Sequence, residues 1–303
     1  MPPREAPHPP RTVGLPVDRA AAERDADGLV EAVRTAPGTR VLAVRRDAAP
    51  VAGGALAYLP VDAIGEARAW AFLGRGPDGE AVLVAALDDD AELPLEGDVA
   101  WGALRVVGGD LPEADAETLC TGVALAGWLR DASFCPACGS RTELRHAGWS
   151  RHCPRCGREH FPRTDPAVIV LVTSHVRPDR VLLGSNAAWG GGRYSCFAGF
   201  AEAGESLEDA AEREVGEESG LRLTDLTYRG SQPWPYPRSL MLGFRATAVD
   251  DDDARPDGDE IVEVRWFDRD EIGAALRGES DVQLPGASSI ARRLIDEWFE
   301  EGR

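Results

Sequence analysis

Three glutamates, Glu214, Glu217 and Glu218, lie in a segment whose end signals predict a helix over roughly 207–219. At 3.6 residues per turn, positions i, i+3 and i+4 fall within an arc of about 100°. Three like charges this close repel one another unless a cation offsets them. Oxygen ligands favour hard ions such as Mg²⁺ or Mn²⁺, which bridge to substrate phosphates. The segment therefore predicts metal-dependent chemistry on a phosphoanhydride.

Residues on either side of the glutamates set the ends of this helix. Ser206 followed by Asp209 has the form of an N-cap with an acidic residue three positions later. Gly220 is placed for the left-handed C-cap. Ala210 and Ala211 precede the glutamates by one turn, and we expect them to let backbone and ligand approach. A solvated acidic helix is the alternative interpretation of glutamates at these spacings.

A longer pattern surrounds the glutamates from residue 199 onward, G-x5-E-x7-R-E-U-x-E-E-x-G-U, in which U is apolar. It resembles the Nudix box, the signature of the Nudix hydrolases, at every fixed position. The resemblance implies that Glu214 and Glu218 bind metal directly and that Glu217 contributes in some complexes. The other fixed positions are structural by the same resemblance: Gly199, Glu205, Arg213 and Gly220. Glu205 and Arg213 are expected to form an ion pair that holds the loop against the helix.

Four cysteines upstream form two C-x2-C-G knuckles separated by fourteen residues: Cys135, Cys138, Cys153 and Cys156. Two such pairs complete a tetrahedral thiolate site, which is closed and structural for zinc. Disulfides are the alternative, but the N-terminus lacks the apolar stretch of a secretory signal. The spacing predicts one structural Zn²⁺ per chain. Cys120 and Cys196 lie outside the pattern and are interpreted as buried small residues.

Arginines are concentrated around the cysteines, at positions 141, 145, 151, 155, 158 and 163. A basic strip of this kind can contact nucleic acid or a phosphate tail. It is equally typical of a solvated surface, which we favour.

A proline-rich segment, Ser231–Met241, follows the helix. Three alternating prolines stiffen the chain and fix the directions of Trp234, Tyr236 and Arg238. Flat aromatic faces suit stacking on a base or nicotinamide ring. A purely structural proline–aromatic corner is an equal alternative from the residues alone.

The order of these segments is similar to that of the NADH pyrophosphatase branch of the Nudix hydrolases, over roughly residues 130–300. The cysteine pairs, the segment HFPRTDP at 160–166, the box and SQPWPYPRS at 231–239 carry the resemblance. It implies these substrate contacts: Phe161, Ala198, Gln232, Pro233, Trp234, Pro235, Tyr236, Pro237, Arg238, Ser239 and, as a backbone contact, Ala291. Members often carry tyrosine where this chain has Phe161, so the stacking face remains without the hydroxyl.

The resemblance also implies a further metal carboxylate, Glu260, just before a predicted strand. Glu263 is its nearest competitor. The expected metal set is therefore Glu214, Glu218, Glu260 and the backbone of Ala198, holding two or three Mg²⁺ or Mn²⁺ ions.

The length of the chain limits the number of domains it can form. A chain of 303 residues fits two or three modest units. The predicted fold class is α+β: a Nudix α/β/α sandwich with a mixed sheet, preceded by a small zinc ribbon and an N-terminal α+β domain. The expected boundaries are a loose segment over 1–28, the N-terminal domain over 29–132, the ribbon over 133–160 and the Nudix domain over 161–303.

The formal charge of −19 argues against a general duplex-DNA binder, whose affinity comes from neutralising phosphates. No apolar run approaches a membrane span, and we expect a cytoplasmic protein. By family resemblance we expect a homodimer.

The predicted activity is hydrolysis of the pyrophosphate of NADH or NAD⁺ to nicotinamide mononucleotide and AMP, with NAD caps on RNA as a further substrate. Glu218, Glu217 or a bound water without a side-chain base is expected to handle the proton. Other nucleoside diphosphate derivatives such as ADP-ribose are the enzymatic alternative. A catalytically dead nucleotide- or RNA-binding module is the alternative of a different class.

Overall fold

The computed structural model describes residues 17–301 of the chain. Within them, residues 17–164 with 235–238 form one compact unit, and residues 165–234 with 239–301 form the other. Among the described residues, no helix has the length and apolar character needed to cross a membrane. The domain boundaries given above stay a prediction.

The first unit contains three small sheets and three helices. Its strands are β1 (Arg40–Val44), β2 (Ala48–Ala52), β3 (Ala55–Leu56), β4 (Ala69–Arg75), β5 (Ala81–Ala86), β6 (Ala100–Ala103), β7 (Glu143–Arg145), β8 (Ser150–His152) and β9 (Glu159–His160). Its helices are α1 (Leu29–Thr35), α2 (Leu104–Val107) and α3 (Glu113–Asp131). The sheet orders are β1-β5-β4, β3-β2-β6 and β7-β8-β9.

Helix α3 covers the core of this unit. Leu119, Val123, Ala126 and Leu129, which share one face at helical spacing, are all buried against β1 and β5. Trp149, which directly precedes β8, donates its indole N–H to the carbonyl of Phe72 at 2.7 Å. The third sheet is therefore anchored to the same core.

The expected loose N-terminal segment lies partly outside the described residues. From Val17 onward the chain packs on the core: Val17 is buried, and the backbone of Asp18 pairs with Arg75. Glu23 adds an ion pair to the same arginine at 2.6 Å. Residues 17–28 are thus held by the burial of Val17, by Arg75 and by other contacts such as that of Asp25 with His146 at 2.8 Å. The polar composition of the segment does not predict these contacts.

The second unit contains one six-stranded sheet and three helices. Its strands are β10 (Asp165–Thr173), β11 (Arg180–Asn186), β12 (Phe197–Phe200), β13 (Leu223–Trp234), β14 (Ser239–Ala248) and β15 (Ile261–Asp268). Its helices are α4 (Leu207–Ser219), α5 (Arg269–Leu276) and α6 (Ile290–Glu301). The sheet order is β13-β14-β10-β11-β15, and β12 pairs with β10.

This sheet is mixed and buried on both faces. Strand β10 pairs in parallel with β14 and antiparallel with β11 and β12. Because side chains alternate along a strand, Val168, Val170 and Val172 face α4, while Ile169 and Leu171 face the cluster that contains α5 and α6. A continuous apolar run therefore gives an α/β/α sandwich, as the sequence predicts.

Two details correct the sequence interpretation. Ala210 and Ala211 are completely buried between α4 and the sheet, so they serve close helix packing and not ligand approach. Residues 235–238 of the proline segment form the turn of a hairpin. Strand β13 runs through to Trp234, and β14 begins at Ser239. Its alternating prolines hide this pairing from a local reading of the sequence.

Candidate metal-dependent hydrolase site

The helix that carries the glutamates has the predicted ends. Ser206 accepts a hydrogen bond from the amide of Asp209 at 3.1 Å, which caps the first turn. Gly220 closes the last turn at φ 71°, a conformation that glycine adopts without steric cost. The capped helix fixes which side of α4 faces strand β12.

Glu218 is the most buried carboxylate of the site. It is 6% exposed, and its Oε2 accepts a hydrogen bond from the amide of Ala198 at 3.2 Å. Burial, together with the charge of Glu260, raises the pKa of Glu218 to about 8. A buried carboxylate that faces other carboxylates without a cationic partner calls for a proton or a cation.

Glu214 lies directly against the backbone of Gly199. A Cβ atom at Gly199 would come within 2.0 Å of the Glu214 carboxyl carbon, which explains why the pattern requires glycine there. Burial raises the pKa of Glu214, and the guanidinium of Arg213 at 2.9 Å opposes that rise. The strand thus holds two carboxylates by backbone contact, one at Gly199 and one at Ala198.

Arg213 organises the loop before the helix, as predicted. It donates to both carboxylate oxygens of Glu205, at 2.8 and 2.9 Å, and to the carbonyl of Phe200 at 2.9 Å. Its hydrogen bonds hold the pKa of Glu205 near 2, so this pair stays ionised throughout the neutral range. Glu217 also pairs with Arg213 at 3.0 Å, but its side chain is 61% exposed.

Glu260 and Glu263 have different surroundings. Glu260 precedes β15, and its charge contributes to the raised pKa of both Glu218 and Glu214. Glu263 lies instead beside Tyr194, whose phenol pKa is raised by burial and then by Glu263. Glu260, and not Glu263, therefore lies close enough to Glu214 and Glu218 to affect their pKa, and its role as a metal ligand stays a prediction.

The four cysteines converge as a closed cluster. Their sulfur atoms all lie within 4.8 Å of one another. The Sγ atoms of Cys135 and Cys156 are 3.7 Å apart, and those of Cys138 and Cys153 are 3.5 Å apart. These separations are far longer than a disulfide bond and suit thiolates around one tetrahedral ion.

The two knuckles share one backbone geometry. In each, the carbonyl of the first cysteine accepts from the glycine four residues later, at 2.8 Å for Gly139 and 2.9 Å for Gly157. Both glycines have φ 72°. The backbone N–H of Ser140 is the main cause that lowers the pKa of Cys138 to about 6. A hydrogen bond with the backbone of Arg158 lowers the pKa of Cys156, but burial and the neighbouring thiols outweigh it and raise that pKa to about 11. Without metal, the thiolate that zinc requires is therefore favoured at Cys138 and not at Cys156.

The two donor sets suit different ions. Among residues 17–301, the four cysteines are the one group of three or more possible ligand side chains that converge closely enough to hold a metal ion. Their sulfur atoms lie within 4.8 Å of one another. Glu214, Glu218 and Glu260 do not form such a group within these residues. Soft sulfur donors in a closed cluster fit Zn²⁺, whereas oxygen donors around a buried acid fit Mg²⁺ or Mn²⁺ shared with phosphate.

Part of the arginine strip around the cysteines has structural partners. Arg151 is 6% exposed and donates to the carbonyl of Leu129 at 2.7 Å. Arg145 pairs with Glu143 at 3.1 Å. These two arginines stabilise the unit itself.

The predicted substrate contacts are divided between the two units. Gln232, Pro233, Trp234, Ser239 and Ala291 belong to the unit with the carboxylates, and Phe161 and residues 235–238 belong to the other. Phe161 is 48% exposed. The guanidinium carbon of Arg105 lies 4.0 Å from the ring centre of Tyr236.

The side-chain amide of Gln232 is already engaged by the start of α6. It donates to the carbonyl of Ser288 at 2.7 Å and accepts from the amide of Ile290 at 2.7 Å. Ala291 follows directly and is buried. Gln232 therefore fixes the backbone that leads to Ala291.

Three residues near the carboxylates were missed by sequence reasoning. Phe200 ends β12 with 54% of its surface exposed. Asn186 donates to Glu260 at 3.2 Å, and Asp257 accepts from the amide of Glu260 at 3.0 Å. An apolar residue beside Gly199 and an Asp three residues before Glu260 were visible signals, but neither has meaning until the strands are paired.

A cavity of about 590 Å³ lies within the first unit and is lined by none of the predicted site residues. Its lining mixes charges of both signs, and His146 there already bonds Asp25 at 2.8 Å. The cavity therefore belongs to neither the carboxylate site nor the thiolate site.

Comparison with known families matches both groups of ligands. A model of the NUDIX domain matches residues 163–285, and a model of the NADH pyrophosphatase zinc ribbon domain matches residues 130–161. The first range contains all the candidate carboxylates, and the second contains the four cysteines.

Whole-chain relatives span most of the sequence. A protein named NAD-capped RNA hydrolase NudC from Mycobacterium bovis is 43% identical over 238 residues, which cover 75% of this chain and 74% of the relative. A protein of the same name from Pseudomonas aeruginosa is 40% identical over 220 residues, covering 72% and 73%. A solved NUDIX hydrolase from Nitrosomonas europaea covers 56% of this chain and 91% of its own, with 29% identity and a TM-score of 0.41.

Proposed function

Because the chain belongs to the Nudix hydrolases that carry an NADH pyrophosphatase zinc ribbon, we propose that it hydrolyses the pyrophosphate of NADH or NAD⁺. The products are nicotinamide mononucleotide and AMP. Membership confirms the family resemblance and the fold class that the sequence predicts. The substrate, the site residues and the assembly state are the further content of the proposal.

The observation that carries the proposal is the buried acid Glu218. It is surrounded by Glu214 and Glu260 and has no ion pair within the described residues. Binding Mg²⁺ or Mn²⁺ offsets this concentration of negative charge, and the ions supply electrostatic stabilisation of the attacked phosphorus and a more acidic water. A dead binding module has no physical need for such an arrangement.

The residues of the chain have separate roles in this mechanism. Glu214, Glu218, Glu260 and the backbone of Ala198 would hold the ions, with Glu218 as the ionised carboxylate. Arg213 keeps Glu205 ionised and holds the loop in place. The metal ligands therefore do not rearrange during turnover. By resemblance, Phe161 and residues 232–239 orient the dinucleotide.

Gln232 and the aromatic residues divide the task of binding. Since its amide is engaged at 2.7 Å on both sides, Gln232 acts through the backbone before Ala291. The exposed face of Phe200, at the end of β12 beside Gly199, is available to a flat ring. The zinc ribbon contributes structure and no chemistry to the reaction.

The primary experiment separates the products of NADH by chromatography, with and without EDTA. AMP and reduced mononucleotide in equal amounts, abolished by EDTA and restored by Mg²⁺ or Mn²⁺, are the expected result. Nicotinamide with ADP-ribose would place cleavage at the glycosidic bond and contradict the proposal. Absence of turnover on every nucleotide diphosphate would favour the binding module.

Removal of NAD caps from RNA is a second activity of the same site, since the relatives from Mycobacterium bovis and Pseudomonas aeruginosa are named for it. The net charge of −19 implies that only the capped end is held. Rates on NADH, ADP-ribose and NAD-capped RNA at matched concentration distinguish the substrates. A preference of tenfold or more for ADP-ribose would contradict both dinucleotide assignments.

The proposal includes a cytoplasmic homodimer. Thiolate zinc ligands suit a reducing compartment, and the homodimer is expected from family resemblance. Light scattering at micromolar concentration tests the assembly, and a single mass near the monomer's 32.5 kDa would contradict it.

A further inference from the structure

We propose that Asp257 is a positioning residue for the metal site, because its carboxylate fixes the turn that presents Glu260. The inference depends on the proposed role of Glu260 as a metal ligand. Asp257 itself needs no contact with substrate or metal in this role.

The first support is a convergence of three amides on one oxygen. Oδ1 of Asp257 accepts hydrogen bonds from the backbone N–H groups of Asp259 at 2.8 Å, Glu260 at 3.0 Å and Ile261 at 2.9 Å. The amide of Gly258 donates to the carbonyl of Ile261 at 3.0 Å and closes the same turn. One side chain thus determines the backbone on both sides of Glu260.

The second support comes from the neighbouring strand. Asn186, at the end of β11, is opposite Ile261 after a bulge in the pairing of β11 with β15. Its Nδ2 donates to Oε1 of Glu260 at 3.2 Å, and the amide of Ala187 donates to the carbonyl of Glu260 at 2.8 Å. Glu260 is therefore held from two directions, by its own turn and by β11.

Glu260 is exposed and lies just before β15. Packing therefore does not define the rotamer of its side chain, and the hydrogen bonds of the turn and of β11 do. Partners that orient a metal ligand typically change metal affinity by about 10- to 100-fold when removed. The turn itself is exposed, so its amides can bond water when Asp257 is truncated. Loss of Asp257 should therefore weaken metal binding far more than folding.

The test compares Asp257→Ala, Asp257→Asn and Asp259→Ala. We measure the affinity for Mn²⁺ alone by calorimetry, the Mg²⁺ concentration for half-maximal activity, and the Tm of the metal-free protein. Asp257→Ala should weaken both metal readouts by about 10- to 100-fold, with little change in Tm. Asp257→Asn should retain most affinity because it keeps an acceptor oxygen while losing the charge.

Asp259→Ala is the matched control, since it removes the same charge from the same turn and leaves the three amide bonds in place. If Asp257→Asn and Asp259→Ala each lost as much Mn²⁺ affinity as Asp257→Ala, charge alone would account for the effect and the inference would be overturned. If Asp257→Ala does not fold, Asn186→Ala replaces it with the same expectation on Mn²⁺ affinity.

The Glu260→Gln background separates the inference from the proposed function. Glu260→Gln should weaken Mn²⁺ binding, and Asp257→Ala should add little in that background. Additive losses overturn only the positioning role of Asp257. Unchanged Mn²⁺ affinity in Glu260→Gln alone overturns the ligand assignment and this inference together.

Discussion

The thiolate cluster and the carboxylate site differ in how completely the chain assembles them. The four cysteine sulfurs lie mutually within 4.8 Å in two knuckles of equal backbone geometry, so that site is complete within about twenty residues of chain. The carboxylates come from α4 and from the turn before β15, and they are held by the backbone of β12 and the end of β11. The cysteine site, in which the chain supplies all four ligands, stabilises the fold. The carboxylate site leaves coordination positions for a substrate to fill.

Glu218→Gln is expected to have the largest effect. It removes a metal ligand, and we expect a loss of about 10³-fold in kcat, roughly 4 kcal/mol of barrier. Steady-state hydrolysis of NADH measures the loss. Glu212→Gln is the matched control on the same helix, because Glu212 is exposed. A Glu218→Gln enzyme within threefold of wild type would contradict the site.

Loss of zinc is expected to affect stability first. Cys153→Ser removes a fully buried ligand, and structural zinc contributes directly to folding. We expect loss of the single bound zinc, measured colorimetrically, and a fall in Tm of about 10 °C or more. Cys120→Ser, outside the cluster, should keep its zinc. A Cys153→Ser protein with native Tm would remove the contrast between the two sites.

Gly199→Ala tests the contact between β12 and the helix. The added methyl would lie 2.0 Å from the carboxyl carbon of Glu214, so that carboxylate must move. We expect activity to fall by about 10- to 100-fold, the scale of a misplaced catalytic group. Gly216→Ala on α4 meets nothing closer than 3.7 Å and should be neutral or slightly stabilising. Equal activities of the two variants would contradict the contact.

The smallest expected effect is a pH dependence of the metal-free protein. The folded state raises the pKa of Glu218 from 4.5 to about 8, so it binds this proton more tightly than the unfolded chain. The resulting stabilisation is complete below pH 4.5 and is lost as the pH rises to about 8. Tm without metal should therefore fall between pH 5 and 8, and saturating Mg²⁺ should reduce that fall.

The control for this pH dependence is Glu218→Gln, which cannot titrate and should show a flatter curve. An unchanged slope in that variant would assign the pH dependence to other groups. It would also count against cation binding by Glu218 and would leave the assignment of the zinc site unaffected.

Local sequence determined the cysteine set and the helix that carries Glu214 and Glu218, whereas Glu260 was expected only from the family resemblance. Helix α4 begins and ends where Ser206 and Gly220 predict, because caps act within one turn of chain. The cysteine knuckles are local for the same reason. The alternating burial of β10 also follows from its apolar run.

Only the tertiary structure decided which distant residues support the glutamates. Gly199 and Ala198 meet α4 because β12 pairs with β10, and Glu260 meets Asn186 because β15 pairs with β11. The engagement of Gln232 by α6 is likewise long-range. Strand pairing joins residues far apart in the chain, and no spacing rule within one segment specifies it.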